Sequence, residues 1–325
     1  MNESAMMLLL ILIMVCLGAE QLNVSNRCRC MEYWQCFRSG GNFSSYCGLD
    51  ESEVCCRAPR ADVDSTRSLQ TNCGKKGKDS GKIGTAEPTE WPWHTAILEK
   101  ANHIYICGAS LIDEHWILTA AHCVDNYVSH NGVRSITARL GEFDVRNNAE
   151  FHRHEEYDFA YIILHPEFSN RTLQNDIALL RLRFPVQRRP NIDFVCIPKI
   201  GMDFDSKQNC FVTGWGRRSQ SAKHSEILKE VEVPLWPKIR CDYALKSHFG
   251  TNYSLPDTVL CAGAEGNDAC DGDGGGPLVC EDTGQWYQVG VVSFGLGCGE
   301  KDTPGIYTKL NVLEPWIRNI IQSET

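Results

Sequence analysis

The sequence has no apolar run long enough to cross a bilayer. Residues 6–17 are hydrophobic but stop at Gly18-Ala19, well short of the roughly 20 residues a spanning helix needs. That pattern predicts a secretory signal peptide over residues 1–19, although Asn2-Glu3-Ser4 lacks the lysine or arginine that usually precedes one. Once the leader is removed, nothing in the chain calls for a membrane. Positive charge is also scarce: 32 Lys and Arg face 41 Asp and Glu, a formal net charge of −9. This argues against a nucleic acid as partner, because phosphate contacts demand a basic face.

Cysteine, by contrast, is abundant. Seventeen in one chain point to an oxidising, extracellular compartment. Removing the leader removes Cys16 and leaves sixteen, an even number. Sequons at Asn23, Asn42, Asn170 and Asn252 fit a secreted glycoprotein. An apolar content of 42% can bury a core in one or two domains.

Residues 28–56 hold Cys28, Cys30, Cys36, Cys47, Cys55 and Cys56. So short a segment cannot bury enough apolar surface alone, and disulfides must hold it together. Spacing does not choose among the connectivities, though adjacent Cys55 and Cys56 are poor partners for each other. The segment resembles a clip domain, the small module in front of many arthropod serine proteases. That resemblance implies Cys28–Cys55, Cys30–Cys47 and Cys36–Cys56. Tyr33, Trp34 and Phe37 form either its core or a docking surface.

Residues 57–82 lack apolar periodicity and read as a linker rich in Arg, Lys, Ser, Asp and Gly. Arg60, Arg67 and Lys82 are its candidate cleavage sites. Cys73 sits alone there and needs a distant partner. A cut at Arg60 or Arg67 would sever the only covalent link to residues 28–56.

From Trp91 onward, short β-branched runs alternate with turn residues: Ala96–Leu98, Ala109–Ile112, Trp116–Thr119, Ser135–Arg139, Tyr161–Leu164, Ile177–Leu182, Cys210–Thr213, Gln288–Ser293 and Gly305–Lys309. Such spacing predicts an antiparallel barrel or sandwich. The ending differs. Leu313, Trp316, Ile317, Ile320 and Ile321 fall at helical spacing, which predicts an amphipathic C-terminal helix with Pro315 in its first turn.

Three motifs then follow in order: Thr119-Ala120-Ala121-His122-Cys123, Asn175-Asp176-Ile177-Ala178-Leu179-Leu180, and Gly272-Asp273-Gly274-Gly275-Gly276-Pro277. Over residues 83–322 the chain resembles the chymotrypsin-like serine proteases, whose His, Asp and nucleophile come in this order. The expected fold is all-β: a two-barrel trypsin-like domain with a C-terminal helix, preceded by the small disulfide-rich clip domain. The resemblance implies further bridges Cys73–Cys196, Cys107–Cys123, Cys210–Cys280, Cys241–Cys261 and Cys270–Cys298, which leave no mature cysteine over.

The family motif reads G-D-S-G-G-P, and here Gly274 replaces its serine. Glycine has no side-chain atom to attack a carbonyl. His122 and Asp176 can still pair, but His122 has no hydroxyl to deprotonate. Loss of the nucleophile from such a triad costs about six orders of magnitude in turnover. The resemblance implies an oxyanion hole at Gly272 and Gly274, and a pocket for Arg or Lys from Asp268, Gly295 and Gly305. Phe294 stands where tryptophan is more usual. Asp273 retains the carboxylate that pairs with a new N-terminus in active relatives, but Lys82-Ile83-Gly84-Thr85 departs from their I-V-G-G start. Glu142, Asp144 and Glu150 lie in the loop that binds calcium in some trypsins; a solvated acidic loop is the competing reading, and no other cofactor is implied.

The expectation is a secreted, catalytically inactive clip-domain serine protease homologue. Family analogy makes it a cofactor or adaptor in innate-immune cascades that activate prophenoloxidase and drive melanisation. Its partners would be clip-domain proteases or prophenoloxidase, with assembly after cleavage. Two rivals stand beside it: an endopeptidase with residual activity, and a non-cleaving trap for Arg/Lys segments.

Overall fold

In a computed structural model, the described residues are 29–32, 42–46, 53–57, 73–81, 84–146, 150–204, 209–217, 224–265, 269, 272–297 and 299–324. The chain divides into two units, the larger spanning Thr66–Arg318. In the smaller, β1 (Arg29–Glu32), β2 (Asn42–Tyr46) and β3 (Glu53–Arg57) form an antiparallel sheet with β3 central. Cys30, Cys55 and Cys56 are disulfide-bonded. Cys28, Cys36 and Cys47, with which they were expected to pair, lie outside the described residues.

The larger unit opens with a closed barrel. Its strands are β4 (His94–Glu99), β5 (Ile104–Asp113), β6 (Trp116–Thr119), β7 (Ile136–Leu140), β8 (Glu155–Leu164) and β9 (Ala178–Leu182), closed in the order β4-β5-β6-β9-β8-β7. All four residues of β6 are buried, which is why this strand reads as an unbroken apolar run instead of an alternation.

A six-stranded sheet follows: β10 (Cys210–Gly214), β11 (Lys229–Glu232), β12 (Val259–Ala262), β13 (Pro277–Asp282), β14 (Gln285–Gly295) and β15 (Gly305–Lys309), in the order β11-β10-β13-β14-β15-β12. Its two edges meet just beyond β11, where Leu235 bridges Ala262 and the Trp236 N–H donates to the Cys261 carbonyl at 2.9 Å. Those bonds bring the sheet to the verge of a second barrel. Val212, Val233, Leu278, Val289 and Tyr307 fill it.

Short helices are few: α1 (His130–Arg134), α2 (Lys238–Phe249) and the C-terminal α3 (Leu310–Ser323). Leu313, Trp316, Ile317, Ile320 and Ile321 are all buried, as their spacing requires. Pro315 falls in the second turn, not the first, because the helix starts directly at the end of β15. Its missing N–H forgoes one helical bond, to the Asn311 carbonyl.

Four disulfides are bonded among the described residues: Cys73–Cys196, Cys107–Cys123, Cys210–Cys280 and Cys241–Cys261. Residues 73–81, read as the end of a linker, are stitched to the larger unit. The Gly74 N–H donates to the Phe194 carbonyl at 2.7 Å and its carbonyl accepts from Trp286, while the Gly77 N–H reaches the Glu90 carbonyl at 2.9 Å. A Cβ at Gly74, whose φ is 70°, would stand 2.3 Å from the Trp286 carbonyl oxygen, so only glycine lets the strap lie this close.

Candidate active-site cleft

The barrel delivers the histidine and the aspartate from neighbouring strands. β6 ends at Thr119, and the 3₁₀ turn Ala121–Cys123 swings His122 toward the cleft while Cys123 ties the turn to β5 through Cys107. Before β9, Asn175 adopts a left-handed φ of 50°, a conformation asparagine tolerates, and turns Asp176 inward. Asp176 is fully buried. Its Oδ1 accepts the His122 backbone N–H at 2.9 Å, and its Oδ2 lies 2.7 Å from His122 Nδ1.

These contacts decide the imidazole's state. Burial lowers the His122 pKa, but the Asp176 hydrogen bond and charge, with Asp125 adding to them, raise it above the ordinary value. The ring therefore holds Nδ1 toward Asp176 and presents Nε2 to the cleft.

Two partners of Asp176 escape any reading of the sequence motifs. Ser293 Oγ donates to its Oδ2 at 2.5 Å, and Thr308 Oγ1 donates to its carbonyl at 2.8 Å. Both come from the second sheet, more than a hundred residues further on, and no local signal marks them.

Gly274 lies opposite His122. A Cβ added there would stand 3.5 Å from His122 Nε2 and 3.9 Å from Cys107 Sγ, ordinary contact distances. Its φ is outside the left-handed region, so the backbone does not demand glycine. The neighbours differ: Gly272 and Gly275 have φ of 99° and 77°, and a Cβ at Gly275 would meet Thr119 Oγ1 at 2.3 Å. The Gly274 carbonyl accepts from the Gly108 N–H at 2.8 Å, and the Gly272 carbonyl accepts from the Tyr105 hydroxyl at 2.9 Å. Burial and the Asp273 charge push the Tyr105 pKa well up, so it stays a donor. The Asp273 Oδ1 accepts the Gly216 N–H at 2.9 Å. The imidazole of His224 packs against Gly272, where a Cβ would meet its Nδ1 at 2.7 Å.

His122, Gly272, Gly274, Ser293, Phe294, Gly295 and Gly305 line one cleft of about 870 Å³. Gly295 and Gly305 face each other in the β14–β15 pairing. Ala269 also lines the cleft, but Asp268, Cys270 and Cys298 lie outside the described residues, as do Arg60, Arg67, Lys82 and Asn23. Asn170 and Asn252 are exposed in turns, and Asn42 belongs to β2.

The acidic loop does not fit calcium. Glu142 is 5% exposed, and its Oε2 lies 3.2 Å from Arg139 Nη1 and 3.0 Å from His154 Nδ1. Burial raises its pKa, but the hydrogen bond and charge from His154 and the charge of Arg139 bring it below the ordinary value. Glu150 accepts the Asp144 N–H at 2.8 Å. A cation bound at Glu142 would face the Arg139 guanidinium and compete with His154 for the carboxylate.

Comparison with known proteins agrees with this fold. The family model described as trypsin matches residues 82–317. The chain is similar to protein masquerade of Drosophila melanogaster, 37% identical over 246 residues, which cover 75% of this chain and 23% of that protein. It is 36% identical to phenoloxidase-activating factor 2 of Galleria mellonella over 254 residues, covering 73% of this chain and 82% of the relative. Serine proteinase stubble of Drosophila melanogaster is 36% identical over 242 residues, 70% of this chain and 29% of its own length. On fold, motif order and these matches, the chain belongs to the trypsin family and resembles the clip-domain serine protease homologues of arthropods.

Proposed function

We propose that this chain is a secreted serine protease homologue that binds other proteins through its cleft and does not cut them. The observation that carries this reading is Gly274 opposite an intact His122–Asp176 pair. In a working triad the aspartate orients the histidine, and the histidine takes the proton of the attacking hydroxyl. Here the pair is oriented but no side-chain oxygen stands at residue 274. Ser293, whose hydroxyl also lines the cleft, donates its Oγ–H to Asp176 Oδ2. Attack needs an oxygen about 3 Å from the carbonyl, and Ser293 does not supply one there.

The remaining assignments follow from the family. Gly272 and Gly274 are the remnant oxyanion hole, and Asp268, Gly295 and Gly305 form a pocket for a basic side chain. Cys55, Cys56 and the other cysteines of residues 28–56 build a clip domain, and residues 1–19 are a removable leader. The name of the Galleria mellonella relative points to phenoloxidase activation, and the role that fits is an extracellular cofactor or adaptor in such a protease cascade. Its partners are then clip-domain proteases or prophenoloxidase.

Incubation of the pure protein with Arg-containing chromogenic peptides and with an organophosphonate probe tests the reading. No turnover and no adduct are expected, whereas His122-dependent turnover would sink it.

A further inference from the structure

The cleft ends at three groups whose bonding capacity is open. His122 Nε2 meets only Cys123 Sγ, at 3.5 Å, and that sulfur is already in a disulfide. Among the described residues, the N–H groups of Gly272 and Gly274 find no acceptor. All three residues line the same cleft, and a side chain at residue 274 would begin 3.5 Å from Nε2.

We propose that this space holds the free carboxylate at the end of a cleaved peptide, one oxygen on the Gly272 and Gly274 N–H groups and the other beside His122 Nε2. The inference rests on the reading of the cleft as a binding site, and it narrows the ligand from unbroken chains to the products of another protease.

The chemistry separates the two. An internal peptide carbonyl offers one neutral oxygen, and the amide that follows brings an N–H toward His122. A terminal carboxylate offers two acceptor oxygens and a full charge, and hydrogen bonds to a charged group are roughly twice as strong as neutral ones. A serine at 274 would put its own methylene and hydroxyl into this space, and the glycine leaves it to the ligand. The charges around the ring favour the same outcome. Asp176 and Asp125 hold His122 toward the protonated state, which donates from Nε2. Among the described residues, the two neighbouring carboxylates have partners of their own: Asp176 is bonded to His122 and Ser293, and Asp273 accepts from Gly216.

The test uses the full-length protein with three probes: benzamidine, an acetylated tripeptide ending in arginine as the free acid, and the same tripeptide as the amide. Calorimetry near pH 6 should show the free acid binding at least about ten-fold tighter than the amide, the equivalent of one charge-assisted hydrogen bond. In Gly274→Ala the methyl group occupies the oxygen's place, so the preference should fall within about two-fold. That variant fits the backbone and its melting curve verifies folding. Benzamidine binding with equal affinity for acid and amide overturns this inference and leaves the binding cleft standing. Failure of all three probes to bind overturns both.

Discussion

The ammonium of Lys76 sits 4.3 Å from the centre of the Trp91 ring and 2.6 Å from Glu90 Oε1. The rings of Phe211 and Trp286 complete a cage at 5.5 and 5.4 Å, and Asp79 adds a second carboxylate at 2.8 Å. Glu90 is 1% exposed, so the lysine is its defence against burial as a lone charge. Lys76→Met should therefore destabilise the protein by about 3–5 kcal/mol, the usual cost of breaking a buried ion pair. Adding Glu90→Gln should recover most of it. Chemical denaturation of the two variants checks this; equal stability of Lys76→Met and wild type would remove the cage from the list of what holds the strap.

Glu230 sits against the same cluster, accepting the Trp91 indole N–H at 2.8 Å. Burial and the charge of Glu90 push its pKa up to about 7. A carboxyl raised on folding binds its proton more tightly in the native state, so its stabilising contribution is complete below its unfolded pKa. That contribution is lost as pH rises through about 7. Glu230→Gln should flatten the decline in melting temperature between mildly acidic and neutral pH. Near pH 8 it should raise the melting temperature by about 2–4 °C, some 1 kcal/mol for a domain of this size.

Gly274→Ser places a hydroxyl where His122 Nε2 can reach it, with no backbone strain to resist it. The variant should form an adduct with an organophosphonate at residue 274, visible by mass spectrometry, and His122→Ala should abolish it. Wild type should stay unlabelled under the same conditions.

The three glycines of this loop should respond differently to a methyl group. Gly275→Ala meets Thr119 Oγ1 and the Gly108 carbonyl oxygen at 2.3 and 2.4 Å with a left-handed φ, so a loss above about 3 kcal/mol is expected. Gly274→Ala should change stability by less than about 1 kcal/mol. If both cost the same, residue 274 is glycine for conformational reasons after all.

Millimolar calcium should leave the melting temperature unchanged, because Glu142 is paired with Arg139 and His154. Glu142→Gln should lower stability at neutral pH, with or without the ion.

Strands of the first barrel could be read from the sequence because each carries a short apolar run with buried residues at its centre, such as Leu111, Ile117, Ile162 and Leu179. Others could not. β11 (Lys-Glu-Val-Glu) shows mostly charge, and β13 starts at Pro277 directly after the glycine-rich motif, so neither carries a clear period of two. α2 buries only Cys241, Ala244 and Leu245 while Ile239 and Tyr243 are exposed, which blurs its stripe.

What the amino-acid order settled alone is chemical identity: seventeen cysteines, three family motifs in order, and no nucleophilic atom at residue 274. Those are covalent facts, and no folding can alter them. Only the tertiary structure decided how charges are spent: Ser293 on Asp176, Glu142 on Arg139 and His154, and Lys76 inside three aromatic rings. Several of these pairings, Ser293 with Asp176 and Lys76 with Trp286 among them, join residues far apart in the chain, and they depend on which side chains folding brings together, a proximity no sequence period encodes.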